Sequence, residues 1–204
     1  MTLRLRISFW VMATLCVLVA LGSYRFIALG IDGAFLLALG APVLDPRSYF
    51  IAHVISAPIA LALGAFQFLP RMRVRSPHLH RWLGRIYAAA ILVGGVSGLL
   101  MALDSFDRPV AATGFGTLAI LWLYFTAEAV RHARARDFVQ HRRMMIRSFA
   151  LTFAAVTLRI QLPFLIADGT PYLEISHILG WSCWVPNIIF AELWLRWTGT
   201  PKTA

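Results

Sequence analysis

The chain has 204 residues, 59% hydrophobic and only 14% charged, against about 25% charged in an average protein, and a soluble fold of this size cannot hide so much apolar surface in one core. Its formal net charge of +10 is nearly all arginine, Lys202 being the only lysine. In a soluble protein that excess would suggest nucleic acid, but here the charges sit between apolar runs, where they read as topology signals and exclude a nucleic-acid partner.

Six apolar runs are long enough to cross a bilayer, which takes about 17–25 residues. They fall at about 7–28, 48–69, 78–103, 110–132, 139–166 and 171–196. The fold class is therefore all-α: one polytopic transmembrane bundle of six helices, a single domain over 1–204. The first run, "MTLRLRISFWVMATLCVLVALGS", has a basic start and loosely mimics a signal peptide. A retained first helix is preferred, because apolar character continues past Ser23. The apolar part of residues 29–41 is too short to span and predicts a re-entrant or interfacial segment.

Helix starts are marked along the chain. Asp45-Pro46, Ser76-Pro77 and Thr170-Pro171 each read as an N-cap followed by proline in the first turn. Asp137 and Gln140 resemble a capping box before span five. Arginines crowd the connection after span two (Arg71, Arg73, Arg75, Arg81, Arg85) and the one after span four (Arg131, Arg134, Arg136, Arg142, Arg143, Arg147). Counting positive charges alone, these connections and both termini are cytoplasmic. Cys16 and Cys183 fall inside apolar runs and form no metal or disulfide pattern.

The six histidines are not scattered at random. His80 and His141 each lie four residues beyond a helix cap, on helices leaving the arginine-rich side. His53 and His177 each lie about one or two turns into spans two and six from the other side. Four helices thus supply two layers, His80 with His141 inside and His53 with His177 outside. Ionisable groups inside spans are rare and usually functional. Neutral imidazole near a helix N-terminus is the form that ligates metal. Two imidazoles from facing helices suit the two axial positions of a b-type haem. The expectation is one or two haems held by His53/His177 and His80/His141. Tyr87 stands on the face of His80, Gly84 leaves room for a flat ring, and Arg159 and Arg147 are candidate partners for propionates. Met145 is an alternative ligand. No CxxCH occurs, so such a haem would be non-covalent.

Gln67, Glu128, Glu192 and Asn187, which follows Pro186, form a second polar set, suited to a proton path, a quinone pocket, or plain interhelical hydrogen bonds and partners for the inner arginines. The corresponding function is membrane electron transfer, with quinone or another redox protein as partner and membrane oxidoreductase as the enzyme class. Two alternatives stand beside it. One is a transporter or metal-handling protein with a His/Arg site between spans two, five and six. The other is a non-catalytic membrane subunit.

The set "AHVISAPIALALGAFQF", "HRWLGRIY", "HRRMMIRSFALTFAAVTLR" and "WSCWVPNIIFAELW" resembles a bacterial membrane family, domain of unknown function 2306, over roughly residues 48 to 196. That resemblance implies a multi-pass protein of the bacterial inner membrane, in contact with the lipid bilayer. The layered histidines also resemble, loosely, those of di-haem membrane cytochromes b, whose ligands come from a consecutive four-helix core.

Overall fold

The computed structural model describes residues 3–28, 47–105 and 108–198. Ten helices lie among them: α1 (Leu3–Ser23), α2 (Arg25–Ala28), α3 (Arg47–Phe66), α4 (Pro70–Arg75), α5 (Pro77–Asp104), α6 (Pro109–Arg134), α7 (Phe138–Thr152), α8 (Ala154–Leu165), α9 (Tyr172–Ser182) and α10 (Val185–Trp197). Six stretches are long and apolar enough to cross a membrane: Arg6–Ala28, Ser48–Phe66, Pro77–Asp104, Pro109–Arg134, Phe138–Leu165 and Tyr172–Trp197. These match the expected spans to within a few residues. The re-entrant segment expected at 29–41 and the Asp45-Pro46 cap lie outside the described residues.

Helix starts follow local chemistry, with two differences from expectation. Ser76 is the N-cap of α5, with Pro77 in the first turn. Asp137 caps α7, its side chain accepting from the Gln140 amide. The reciprocal half of a capping box is absent, because the Asp137 amide donates to the His132 carbonyl instead. Before span six the cap is Pro171, not Thr170. Thr170 is engaged elsewhere: its hydroxyl and amide both donate to Asp168 Oδ1.

Small residues recur at the helix contacts of the interior, beside a few large ones such as Tyr87 and Trp122, while large apolar residues cover the exterior. Ala13, Ala60, Ala65, Ala90, Ala129 and Ala154 are buried, while Leu92, Ile120, Phe164, Phe190 and Trp197 are exposed. In water so apolar an exterior would be unfavourable. In lipid there is no hydrophobic drive between helices, so close packing of small residues holds the bundle. The crossing of α6 and α9 is an example: a Cβ on Gly114 would lie 2.6 Å from the Gly180 carbonyl oxygen, so only glycine permits that approach. Cys16 and Cys183 are free, buried and behave as small hydrophobes.

Four helices form a ring: α3 packs on α5, α5 on α6, α6 on α7, and α7 closes on α3. In that order α5 and α7 are opposite members. Outside the ring, α1 covers α3 and α8, and α9 and α10 cover α6 and α7.

Spans five and six are each broken once. Thr152 donates its hydroxyl to the Ser148 carbonyl one turn back, a bond that bends helices, and the break between α7 and α8 follows at Phe153. Span six breaks at Cys183–Trp184, just before Pro186. Proline supplies no amide to the Ser182 carbonyl, and Gln161 Nε2 donates to that oxygen instead at 3.2 Å.

Candidate functional site

At the arginine-rich end, two helices begin on the same plan. α5 starts at Pro77 and α7 at Phe138, so His80 and His141 are each the fourth residue of their helix. Seven residues on, nearly two turns along the same face, stand Tyr87 and Ser148. Those two meet across the ring, Tyr87 Oη lying 2.9 Å from Ser148 Oγ. The shared offset turns His80 and His141 toward the same interior, and the two imidazoles are electrostatic neighbours.

Their nitrogens are held differently. His141 Nδ1 lies 2.8 Å from the Ala129 carbonyl oxygen. A carbonyl only accepts, so Nδ1 carries the proton and Nε2 of the neutral ring keeps its lone pair. This carbonyl-oriented geometry is the usual support of a metal-ligating imidazole. His80 Nδ1 is buried without a hydrogen-bond partner among the described residues, and so is Gln67 Nε2. Gln67 is only 4% exposed. A Cβ placed on Gly84 would meet nothing within 4 Å except Gln67 Oε1, at 3.6 Å. Two buried polar atoms and one open glycine therefore gather at this end. Buried polar groups are ordinarily bonded, because leaving one unmade costs about 1–3 kcal/mol.

The next layer is closed. Tyr87 is 1% exposed and bonds Thr152 Oγ1 at 2.9 Å as well as Ser148. Trp122 Nε1 donates to Thr152 Oγ1 at 2.8 Å, and Thr126 Oγ1 lies 2.8 Å from Ser148 Oγ. This knot of hydroxyls joins α5, α6 and α7 at mid-bundle. Tyr87 thus belongs to the packed layer beneath the histidines. Only Tyr87 of the knot was picked out from sequence. The seven-residue step from His141 points to Ser148, whereas Trp122, Thr126 and Thr152 carry no such signal.

The opposite end does not assemble a second histidine pair. His53 lies on α3, and its Nδ1–H donates to the Gly94 carbonyl of α5 at 2.8 Å. A Cβ on Gly98 would stand 3.2 Å from its ring. His177 is exposed on α9 and donates to the Glu174 carbonyl of its own helix. The buried face of α9 is Ile175, Ser176, Leu179 and Gly180, and His177 is off that face. The residue that does lie near His53 is Arg159. Its Nη2 donates to Ser23 Oγ at 2.8 Å and its Nη1 to the Ala155 carbonyl at 3.1 Å.

The remaining polar candidates are engaged. Arg147 makes a two-pronged pair with Glu192, Nη2 to Oε2 at 2.9 Å, and lies over the Phe125 ring. Having its carboxylate already, it is not free for a propionate. Arg85 stacks on Trp82 at the surface. Met145 packs against the core. Asn187 bonds Thr157 and the Cys183 carbonyl. His132, which had no obvious partner in the sequence, sits between Glu128 and Asp137. Among the described residues no three His, Cys, Asp or Glu side chains converge as a metal site.

A family model described as "Predicted membrane protein (DUF2306)" matches residues 50–195. No curated protein and no solved structure matches the chain, so the likeness to di-haem cytochromes b gains no support beyond the histidine spacing.

Proposed function

The chain belongs to the DUF2306 family of predicted membrane proteins, and we propose that it holds a single b-type haem between His80 and His141, not two haems in two layers. The observation that carries this reading is the buried His80 Nδ1, without a partner among the described residues, on a ring that is an electrostatic neighbour of His141, whose own Nδ1 is held by the Ala129 carbonyl. A bare zinc or copper ion fits the residues less well. Structural zinc takes four protein ligands, whereas a haem takes only two because the porphyrin supplies the rest. Gly84 leaves open space on the α5 side. Arg73 stands electrostatically beside His80 and takes the propionate role that Arg147 cannot.

Held by His80 and His141, the haem would supply one-electron chemistry. This chain's own contribution is to fix two imidazoles from opposite helices and to close the bundle beneath them with the Tyr87 knot. By the arginine count the site lies toward the cytoplasm of a bacterial inner membrane, exchanging electrons with quinone or a redox protein. The test is purification after expression with ample haem. A Soret band that His80→Ala and His141→Ala each remove is the expected result. A colourless protein carrying no haem refutes the reading, and one carrying stoichiometric zinc or copper replaces it with metal handling.

A further inference from the structure

Arg159 is a cation within a span that has no carboxylate partner among the described residues. It lies in the last third of span five and is half-buried. Charged side chains at such positions are rare, and they pair or face a polar cavity. Glu192 answers Arg147 and Glu128 answers Arg131. Among the described residues no carboxylate lies within ion-pair distance of Arg159. Its partners are two neutral oxygens, Ser23 Oγ and the Ala155 carbonyl. A guanidinium has five N–H donors, so beside these two bonds three remain for something else.

The surroundings raise the demand for negative charge. Ser23 is 5% exposed and its hydroxyl donates to the Val19 carbonyl at 2.7 Å. Its oxygen is thereby presented to Arg159 as an acceptor. Arg25, a second guanidinium, is an electrostatic neighbour, and so is the phenol of Tyr172. His53, with Nδ1–H committed to Gly94, brings no carboxylate to this side. Residues from α1, α2, α3, α8 and α9 therefore surround one charge, with two guanidiniums and no described anion.

We propose that Arg159, held by Ser23 and flanked by Arg25, His53 and Tyr172, is the centre of an oxyanion-binding site at the end of the bundle opposite the His80/His141 pair. The ligand is a carboxylate or phosphate group, which matches a guanidinium in two-pronged geometry. It comes from a free anion or from a lipid headgroup. The site shares no residue with the proposed haem site and stands whether or not haem is bound.

The experiment is thermal unfolding of the full chain in a neutral detergent at constant ionic strength. Three arms add inorganic phosphate, acetate or phosphatidylglycerol, with chloride and phosphatidylcholine as controls. At least one arm is expected to raise the unfolding midpoint in a saturable way. Phosphate or acetate points to a free anion, and phosphatidylglycerol alone points to a lipid. Arg159→Gln should weaken the apparent affinity at least about tenfold, the worth of a charge-assisted hydrogen bond, while raising the midpoint without anion. Ser23→Ala, which keeps the charge, should weaken it less, and Arg85→Gln at the far end should leave it unchanged. No stabilisation in any arm, or stabilisation that survives Arg159→Gln, overturns the proposal. So does a double-mutant cycle that couples Arg159 to Asp32 or Asp45, because the counter-ion is then internal.

Discussion

The two ends of the bundle carry similar residues and use them differently. At the arginine-rich end, His80 and His141 occupy equivalent positions of opposite helices and are turned inward together. At the other end, His53 is turned inward and His177 outward. Among the described residues, the first arrangement leaves a buried nitrogen without a partner and the second a guanidinium without a carboxylate. Equal depth in the membrane therefore does not make a pair; rotation about the helix axis does.

The largest expected difference within one end is between His53 and His177. His53→Ala removes an interhelical bond worth about 1–2 kcal/mol at most in a membrane, plus contact with Gly98. His177→Ala, an exposed change, should stay within about 0.5 kcal/mol. Denaturant unfolding in mixed micelles measures both, and equal losses would mean that His177 is held as firmly as His53. Tyr87→Phe is expected to cost about 1–3 kcal/mol by the same assay, since it leaves buried hydroxyls short of a partner. A neutral result there would dissolve the contrast between a closed middle layer and an open end. Gly98→Ala should be milder, pressing a methyl to 3.2 Å from the His53 ring. It should weaken the His53–Gly94 bond without touching His80 or His141, visible as imidazole shifts at one end only in an NMR spectrum.

The smallest effect concerns Asp168, in the loop between spans five and six. The Thr170 hydroxyl and amide hold its carboxyl below the ordinary value of 3.8. A carboxyl lowered on folding stabilises above its unfolded value and loses that contribution as pH falls through its folded value. The wild type should therefore lose stability relative to Asp168→Asn only below about pH 4. A difference growing toward neutral pH instead would reverse the sign.

How much of this was readable beforehand follows from one physical fact. Lipid and bundle interior are both apolar, so hydropathy marks where a span lies but not which face turns inward. Span boundaries were legible from run length, and helix starts at Ser76 and Asp137 from their caps. The equivalent positions of His80 and His141 were legible because cap spacing fixes phase as well as depth. His177 had no such anchor: Thr170 turned to Asp168, and the start shifted to Tyr172. For Arg147 the sequence left two readings, a propionate and an inner carboxylate such as Glu192, and the structure pairs it with Glu192, 45 residues away on another helix. The hydroxyl knot escaped notice since serine and threonine look like ordinary packing residues in a span.

The absorption spectrum of the purified protein, oxidised and reduced, tests the central claim most directly. One b-type haem per chain is predicted, lost in His80→Ala and in His141→Ala and kept in His53→Ala and His177→Ala. A protein without a Soret band, or one whose haem survives both inner substitutions, would contradict the account.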